Sequence, residues 1–324
     1  MIKIISGFGG MGGSTIAFVN LVNLFNKNGH DAILYAPENG SPKIAWHLDK
    51  CKSEKLDGTF LADYYGTPRQ SQLVLKDYNI LNEIVDDDDI LICHLLPLYR
   101  EHHDSTFELV GFDTSRLKKV IYACHETDVY PVSNINPEKF DLIHYVSEGQ
   151  RDWHHYNKVP NVVIPNVLSP LKKQKKTIEF KKVGGVIGTI GEAKRTHVAI
   201  KAALDDGCDK VLVFGGVDQF AEKYWEKHMS PLLKDETVMC VGRCDDKSLM
   251  YSDLDVVYHA SKYETFNYIE KECAMLDIPY IHTDVREAAE VSPLFDAEAK
   301  TPTLVSDKEI MKMWEKVFDK KRDS

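Results

Sequence analysis

No apolar run in the sequence approaches the ~20 residues that a helical bilayer span requires, which excludes that class of integral membrane protein. The first strand-like run leads directly into glycines, without the charged, apolar and small-residue layout of a secretory signal. Cysteine is sparse and unpatterned: Cys51, Cys93, Cys124, Cys208, Cys240, Cys244 and Cys273 are odd in number and contain no C-x-x-C pair. That spacing argues against a disulfide framework. Together with the missing signal, it gives the expectation of reduced, mostly buried thiols in a cytoplasmic protein. Cys240 and Cys244 have no second ligand pair nearby, and His102-His103 and His154-His155 have no acidic partner at metal-ligand spacing. No metal and no cofactor are therefore expected. An excess of basic charge is missing too. The net charge is −10, and residues 1–166 carry 15 basic and 22 acidic groups, so −7 falls there and −3 on residues 167–324. Neither half is a basic nucleic-acid surface overall, although a local patch remains compatible with these totals. There is no P-loop, no G-x-S-x-G elbow and no short internal repeat.

What is present is an alternation of strand-like and helix-like segments. Residues 2–6 (IKIIS) read as a short buried strand, followed by a glycine loop. An N-cap at Ser14 or Thr15 then opens an amphipathic run ending at Gly29, and AILYAP supplies a second strand. This is one βαβ unit. A helix is expected over about 69–85, then an acidic solvated turn at Asp86–Asp89, and then the strands ILICHLL, KKVIYAC, LIHYVS and NVVIP. Residues 168–182, rich in lysine and without periodicity, read as a linker between domains at 1–167 and 183–305. A second α/β series follows: VGGVIGTIG, a helix at THVAIKAALDDG, KVLVFGG, a helix near 219–233, VMCVG, DVVYHAS, a helix from about 265 and PYIHT. Residues 306–324 hold a closing amphipathic helix, with Ile310, Met313, Trp314 and Val317 on its apolar face, available to pack back on the first domain. Two α/β halves imply a cleft, and the loops after the strands are where ligands bind in such sheets.

The most informative stretch is YHASKYETFNYIEKECAMLDIPYIHTD. Glu264 falls just beyond a strand, and Glu272 falls two turns into the expected helix. Between them, helix-terminal N–H groups near Phe266, Asn267 and Tyr268 offer an anion site. Two acids flanking a set of amides suit a sugar, a phosphate and a ribose. The rival reading, solvated charges on a helix flank, fits Glu270 and Lys271 better. Asp253-x-Asp255 has the look of a metal-binding pair, but Asp255 opens an apolar strand, and a structural role is expected.

In its Glu-x7-Glu element the chain resembles the retaining GT-B glycosyltransferases of the large family 4 type. Further landmarks occur in the order that family has them. Gly12-Gly13 resembles its glycine loop, Asn28-Gly29-His30-Asp31-Ala32 its entry to the second strand, and Asp89 to His94 a later strand. His125 matches a histidine ending a strand, Val163-Ile164-Pro165-Asn166 the "IPNG" boundary, and Gly188 with Lys194 the opening of the second domain.

The resemblance implies two Rossmann-like domains facing each other across a cleft, with a nucleoside diphosphate sugar as donor. Glu264 would hold donor-sugar hydroxyls, Glu272 the ribose, Lys194 the leaving pyrophosphate, and His125 would stand at the sugar in a catalytic post. Gly12 and Gly13 would let the backbone approach the phosphates. The implied transfer retains anomeric configuration by front-face attack. Departures are visible as well. Thr189 stands where the family has an arginine, leaving Arg195 or Arg243 as substitutes; Asn267 and Val167 replace glycines; and Arg286-Glu287-Ala288-Ala289 precede Glu290 in place of a glycine pair. The acceptor stays open among a glycan, a small molecule, a protein and a modified DNA base, the last because the chain also resembles phage DNA-modifying glycosyltransferases. Two other classes compete. One is a sugar-nucleotide binding protein that has lost turnover. The other is an NAD(P)-dependent oxidoreductase, which would use Gly7 to Gly12 as a dinucleotide fingerprint with Glu38 as its acid.

Overall fold

Strands buried on both faces of a parallel sheet read as unbroken apolar runs, and the computed structural model is built from such runs. It describes residues 1–6, 13–37, 49–56, 59–62, 68–74, 79–94, 109, 112–125, 135–217, 221–262, 264–283 and 304–319. Two compact units emerge, Met1–Leu168 with Val305–Ser324, and Ser169–Leu304.

The first unit contains β1 (Ile2–Ser6), α1 (Gly13–Lys27), β2 (Ala32–Pro37), β3 (Ser53–Leu56), β4 (Thr59–Ala62), β5 (Pro68–Val74) and α2 (Asn79–Ile84). It continues with β6 (Ile90–His94), β7 (Lys119–Cys124), β8 (Leu142–Tyr145), α3 (Glu148–His154) and β9 (Asn161–Val163). Seven strands form one sheet in the order β3-β2-β1-β6-β7-β8-β9, all parallel. Alternation along each strand sorts the apolar residues onto two faces. Ile5, Leu91, Val120 and Tyr122 share one core with Leu81, Phe112 and Phe140. Ile4, Leu34, Ile92 and Ile121 share the other with Phe18, Val22 and Phe25 of α1.

The helix expected over about 69–85 is shorter than its sequence suggests. Pro68–Val74 is a strand, paired antiparallel with Thr59–Ala62, and helix begins at Asn79. A short apolar run such as Leu73-Val74 fits either period, and here a neighbouring strand pairs with its backbone.

The second unit contains β10 (Val183–Ile187), α4 (Thr196–Asp205), β11 (Lys210–Phe214), and α5, a run of Glu222–Tyr224, Trp225–Met229 and Ser230–Leu232 with a π-helical middle. Then come β12 (Val238–Gly242), α6 (Lys247–Ser252), β13 (Val256–His259), α7 (Tyr268–Leu276) and β14 (Tyr280–His282). Its parallel sheet has the order β12-β11-β10-β13-β14, with the reversal of direction falling between β10 and β13. Residues 169–182 form no helix or strand, yet they are fastened to this unit. Thr177 N–H donates to Asp253 Oδ1 (2.5 Å), Lys176 pairs with Asp255 (2.6 Å), and Leu171 and Ile178 pack on its core. Asp253-x-Asp255 therefore holds the incoming chain.

The closing helix, α8 (Asp307–Asp319), belongs to the first unit. Its buried stripe is Ile310, Met311, Trp314, Val317 and Phe318, with Trp314 edge-on to Phe25 at 5.5 Å. Met311 rather than Met313 faces the core; Met313 is 37% exposed. Both methionines lie within one turn of Trp314, and the position of the docking face relative to α1 decides between them.

The acidic turn before β6 is only partly solvated. Asp89 is buried against Lys3, which sits in the middle of the sheet on β1 and pairs with Asp86 at 2.8 Å and Asp89 at 3.0 Å. Burial alone would lower the Lys3 ammonium and raise the Asp89 carboxyl. The two carboxylates outweigh it at the lysine, and at Asp89 the Met1 ammonium, the Asp86 N–H and Lys3 together do so, so the lysine lies above and the acid below its ordinary value. Lys3→Met would leave the buried Asp89 carboxylate with the Met1 ammonium at 2.8 Å and the Asp86 N–H at 2.9 Å as its partners. It is expected to lower unfolding stability at pH 7 by about 2 kcal/mol in urea titration, between the values for an exposed pair and a stranded charge. Lys52→Met, which breaks an exposed pair with Asp31, is expected to cost no more than ~1 kcal/mol. Equal losses for the two variants would show that the Lys3 pair is not shielded from water.

Candidate functional site

Chain reversal between β10 and β13 brings two loops together at the carboxyl ends of adjacent strands, the place where open parallel sheets bind ligands. Two contacts lock these loops to each other. Lys262 N–H donates to Ala193 O (2.9 Å), and Arg195 Nε–H donates to Ala260 O (2.7 Å). Between these ties Lys194 reaches Glu264 and forms an ion pair with it. The same carboxylate oxygen lies 3.1 Å from His259 Nε2 at the end of β13, an arrangement in which Nε2–H is the donor.

Burial alone would raise the Glu264 carboxyl. The Lys194 charge and the His259 hydrogen bond reverse that and hold it well below the usual carboxylate range. The result is an acceptor-only group, ionised at neutral pH and 17% exposed. Behind it His282, with its ring 5.4 Å from His259, is pushed down to about 4 by burial and by that neighbour.

The helix after Glu264 starts later than its sequence suggests, at Tyr268 rather than near 265, so Glu272 falls in the second turn. Asn267 caps it at φ +52°, with its side chain accepting from Glu270 N–H (3.3 Å) and its Nδ2 donating to Tyr280 Oη (2.8 Å). A left-handed residue here explains why a glycine fits this position in the resembled family. Asparagine is among the few other residues that tolerate that conformation. The helix-terminal amides therefore begin at Tyr268, while Phe266 is buried beneath Lys271, whose ammonium stands 4.6 Å from the Phe266 ring centroid.

Glu272 is almost fully buried. Lys247 of α6 pairs with its Oε1, and Tyr251 donates to its Oε2 at 2.8 Å. Lys247 also stands 5.5 Å from the Tyr268 ring centroid. None of Lys247, Tyr251 and His259 was singled out from sequence. Lys247 and Tyr251 are spaced i, i+4 and so share a helix face, but nothing local ties that face to an acid two elements later.

The remaining candidates are placed as follows. Gly188 has φ +134° and donates its N–H to Phe214 O, and a Cβ on Gly215 would run into the Gly188 carbonyl. Thr189 is exposed beside it. Arg195 has turned inward, 4% exposed, at φ +45°. Arg243 is on the surface and pairs with Asp245 at 2.5 Å. In the first unit Gly13 opens α1. His125 follows β7, with its ring 4.8 Å from Phe18 and 5.4 Å from His94, whose Nδ1 lies 3.0 Å from Ser6 Oγ. Burial, reinforced by His94 and His144, holds His125 well below its ordinary value, so its imidazole is neutral at pH 7. Gly12, the rest of the glycine loop, Glu38, His102-His103 and Arg286 to Glu290 lie outside the described residues. Among the described residues no cluster of three metal-ligating side chains occurs, and no helix is long and apolar enough to cross a membrane.

Because its folded-state pKa is depressed, Glu264 adds stability that is complete above the unfolded-state value near ~4.3 and fades as pH falls through the folded one. Lys194→Met removes the main cause. It is expected to cost about 2 kcal/mol at pH 7, between the values for exposed and buried pairs. The gap from wild type should narrow as the pH is taken from 5 toward 3. Urea titrations across that range test this, and a gap independent of pH would show that the lysine acts by packing alone.

No family profile matches the chain, and no curated protein matches its sequence. Solved structures do resemble it. A point mutant of Staphylococcus aureus TarM, in complex with fondaparinux, alpha-GlcNAc-glycerol and UDP, is 11% identical over 99% of each chain with a TM-score of 0.69. Anabaena HepE with UDP and glucose is 12% identical over 98% of this chain and 89% of its own, TM-score 0.63. The pneumococcal O-GlcNAc transferase GtfA with UDP and GlcNAc is 10% identical over 98% and 92%, TM-score 0.61. At such identities the likeness shows the fold: two parallel-sheet α/β domains of the GT-B class.

Proposed function

We propose that the protein is a retaining glycosyltransferase, moving a sugar from a nucleoside diphosphate sugar to a hydroxyl acceptor. The observation that carries this is the Glu264 carboxylate, kept ionised by Lys194 at the reversal point of the second sheet, next to the first turn of α7. That constellation offers an acceptor for sugar hydroxyls, a cation for a phosphate and a helix terminus for the same charge. The presence of UDP in the TarM, HepE and GtfA structures favours a uridine nucleotide as the carrier.

In this reading Glu264 grips the donor sugar, and Glu272 takes the ribose. Lys194 and the α7 amides stabilise the leaving diphosphate, a task that preorganised charges and dipoles perform well. Gly12, Gly13 and Gly188 give backbone access to the phosphates. Thr189 supplies a hydroxyl, and Phe266, Asn267 and Tyr268 shape the turn that aims the helix. Arg195 contributes by fixing the Lys194 loop, and Arg243 marks the rim beyond β12. The anomeric C–O bond to the diphosphate breaks, and the acceptor oxygen bonds to that carbon from the same face. The acceptor proton passes to a departing phosphate oxygen. His125, neutral at pH 7, provides a hydrogen-bonding partner on the sugar side. A metal has no part in this scheme, since the cations are supplied by lysine.

The acceptor belongs to the first unit in this reading. Its acidic balance, −7 over residues 1–166, favours a glycan or small molecule over DNA, whose phosphates such a surface repels. The absence of a cation at Thr189 keeps a second reading in play, a protein that binds sugar nucleotides without turning them over.

Thermal-shift screening with UDP-, GDP-, ADP- and dTDP-sugars beside NAD and NADP is expected to show stabilisation by one class of sugar nucleotide. Release of free nucleoside diphosphate with acceptor present separates transfer from binding alone. Glu264→Ala is expected to reduce that release at least ~100-fold while the protein still folds, a loss on the scale of removing one preorganised transition-state contact. Unchanged turnover in this variant removes the glutamate from the site, and stabilisation by NAD in place of sugar nucleotides removes the reading altogether.

A further inference from the structure

We infer that Lys247 and Tyr251 position Glu272 so that the site measures the ribose of the donor, accepting a 2′,3′-diol and rejecting a 2′-deoxy sugar. The inference rests on the proposed function, in which Glu272 is the ribose acid, and extends it to two residues on another helix. Asp246 caps α6 by accepting from Leu249 N–H at 3.0 Å, which fixes the start of that short helix. Lys247 and Tyr251 then sit one turn apart and deliver one donor to each oxygen of Glu272, the ammonium to Oε1 and the phenol to Oε2. Tyr251 is 2% exposed, and burial holds its phenol well above its ordinary value, so it remains a donor.

A carboxylate has about four lone-pair positions, two on each oxygen. With one position on each oxygen occupied from the α6 side, one remains on each. The pair left over matches two adjacent hydroxyls, each donating one hydrogen bond. Because Glu272 is only 3% exposed, water is poorly placed to replace a missing hydroxyl. A 2′-deoxy sugar would leave one acceptor unsatisfied, which is worth roughly tenfold or more in affinity. Lys247, whose side chain is 27% exposed, also stands 5.5 Å from the Tyr268 ring centroid.

Binding of UDP, GDP and ADP and of their 2′-deoxy counterparts is measured by titration calorimetry on the full chain, for wild type, Tyr251→Phe, Lys247→Met and Lys247→Arg. Wild type is expected to favour the ribo form of its preferred nucleotide about tenfold. Tyr251→Phe and Lys247→Met are expected to shrink that ratio to about threefold or less by weakening the ribo form. In turnover assays the donor KM should rise with kcat nearly unchanged, and Lys247→Arg should restore part of the ratio. Equal binding of ribo and deoxy forms by wild type overturns the inference, as do variants that keep the full ratio or lose both forms equally. Binding of none of these nucleotides overturns the proposed function itself, a result distinct from binding without ribose preference.

Discussion

One ion pair organises the second unit: Lys194 against Glu264, seventy residues apart in sequence and joined across neighbouring strands. A carboxylate that is 17% exposed would tend to pick up a proton, and desolvation pushes it that way. The lysine and His259 reverse this. The geometry that allows it comes from the sheet, since the order β12-β11-β10-β13-β14 leaves the ends of β10 and β13 side by side. Arg195 and Lys262 then stitch the two loops together through backbone carbonyls at Ala260 and Ala193. The left-handed backbone at Arg195 is sustained by that buried guanidinium contact, which is why a large side chain sits at φ +45°. The charge that would act on a ligand is therefore a property of topology first and of side chains second.

The strands were legible in the sequence because the central strands of each sheet are covered on both faces, which unbroken apolar runs such as Val120 to Cys124 and Val211 to Phe214 reflect. The doubling of the α/β pattern was legible in the same way, and so was the placement of Glu264 just past a strand and of Glu272 in the helix that follows, while their roles belong to the proposed function. What stayed hidden depends on contacts between distant elements. Lys3 looks like a chance interruption of a strand until Asp86 and Asp89 are brought beneath it by β6. The choice of Met311 over Met313 is made by the docking of α8 on α1. Lys247 and Tyr251 look like ordinary members of a short helix, and only the packing of α6 beside α7 discloses their target. The strand at Pro68–Val74 was missed because period alone does not separate short apolar segments, and a partner strand settled the matter.

The departures from the resembled family have physical readings of different weight. Asn267 is a mild one: the position needs a left-handed backbone, and asparagine meets that need while adding a cap to Glu270 and a hydrogen bond to Tyr280. Thr189 is a substantive one, because neither Arg195, which is turned inward, nor Arg243, which is paired with Asp245, presents a bare cation in its place. The unit carries positive charge toward its acids instead, Lys194 on Glu264 and Lys247 on Glu272.

In the proposed function a donor would enter at Glu264 by redistributing its contact with Lys194, whereas Glu272 would keep Lys247 and Tyr251 and use its remaining acceptor positions. On that proposal a diphosphate would draw the Lys194 ammonium toward itself, and Glu264, relieved of part of its partner, would become a stronger acceptor for sugar hydroxyls. The two ends of the ligand would then be coupled through one ion pair, phosphate binding sharpening the sugar site and sugar binding freeing the lysine for the phosphate. Such coupling would favour an intact nucleoside diphosphate sugar over either fragment alone. It would also place the greatest pull on Lys194 at the moment when a leaving diphosphate gains charge, which is the condition under which binding energy lowers a barrier.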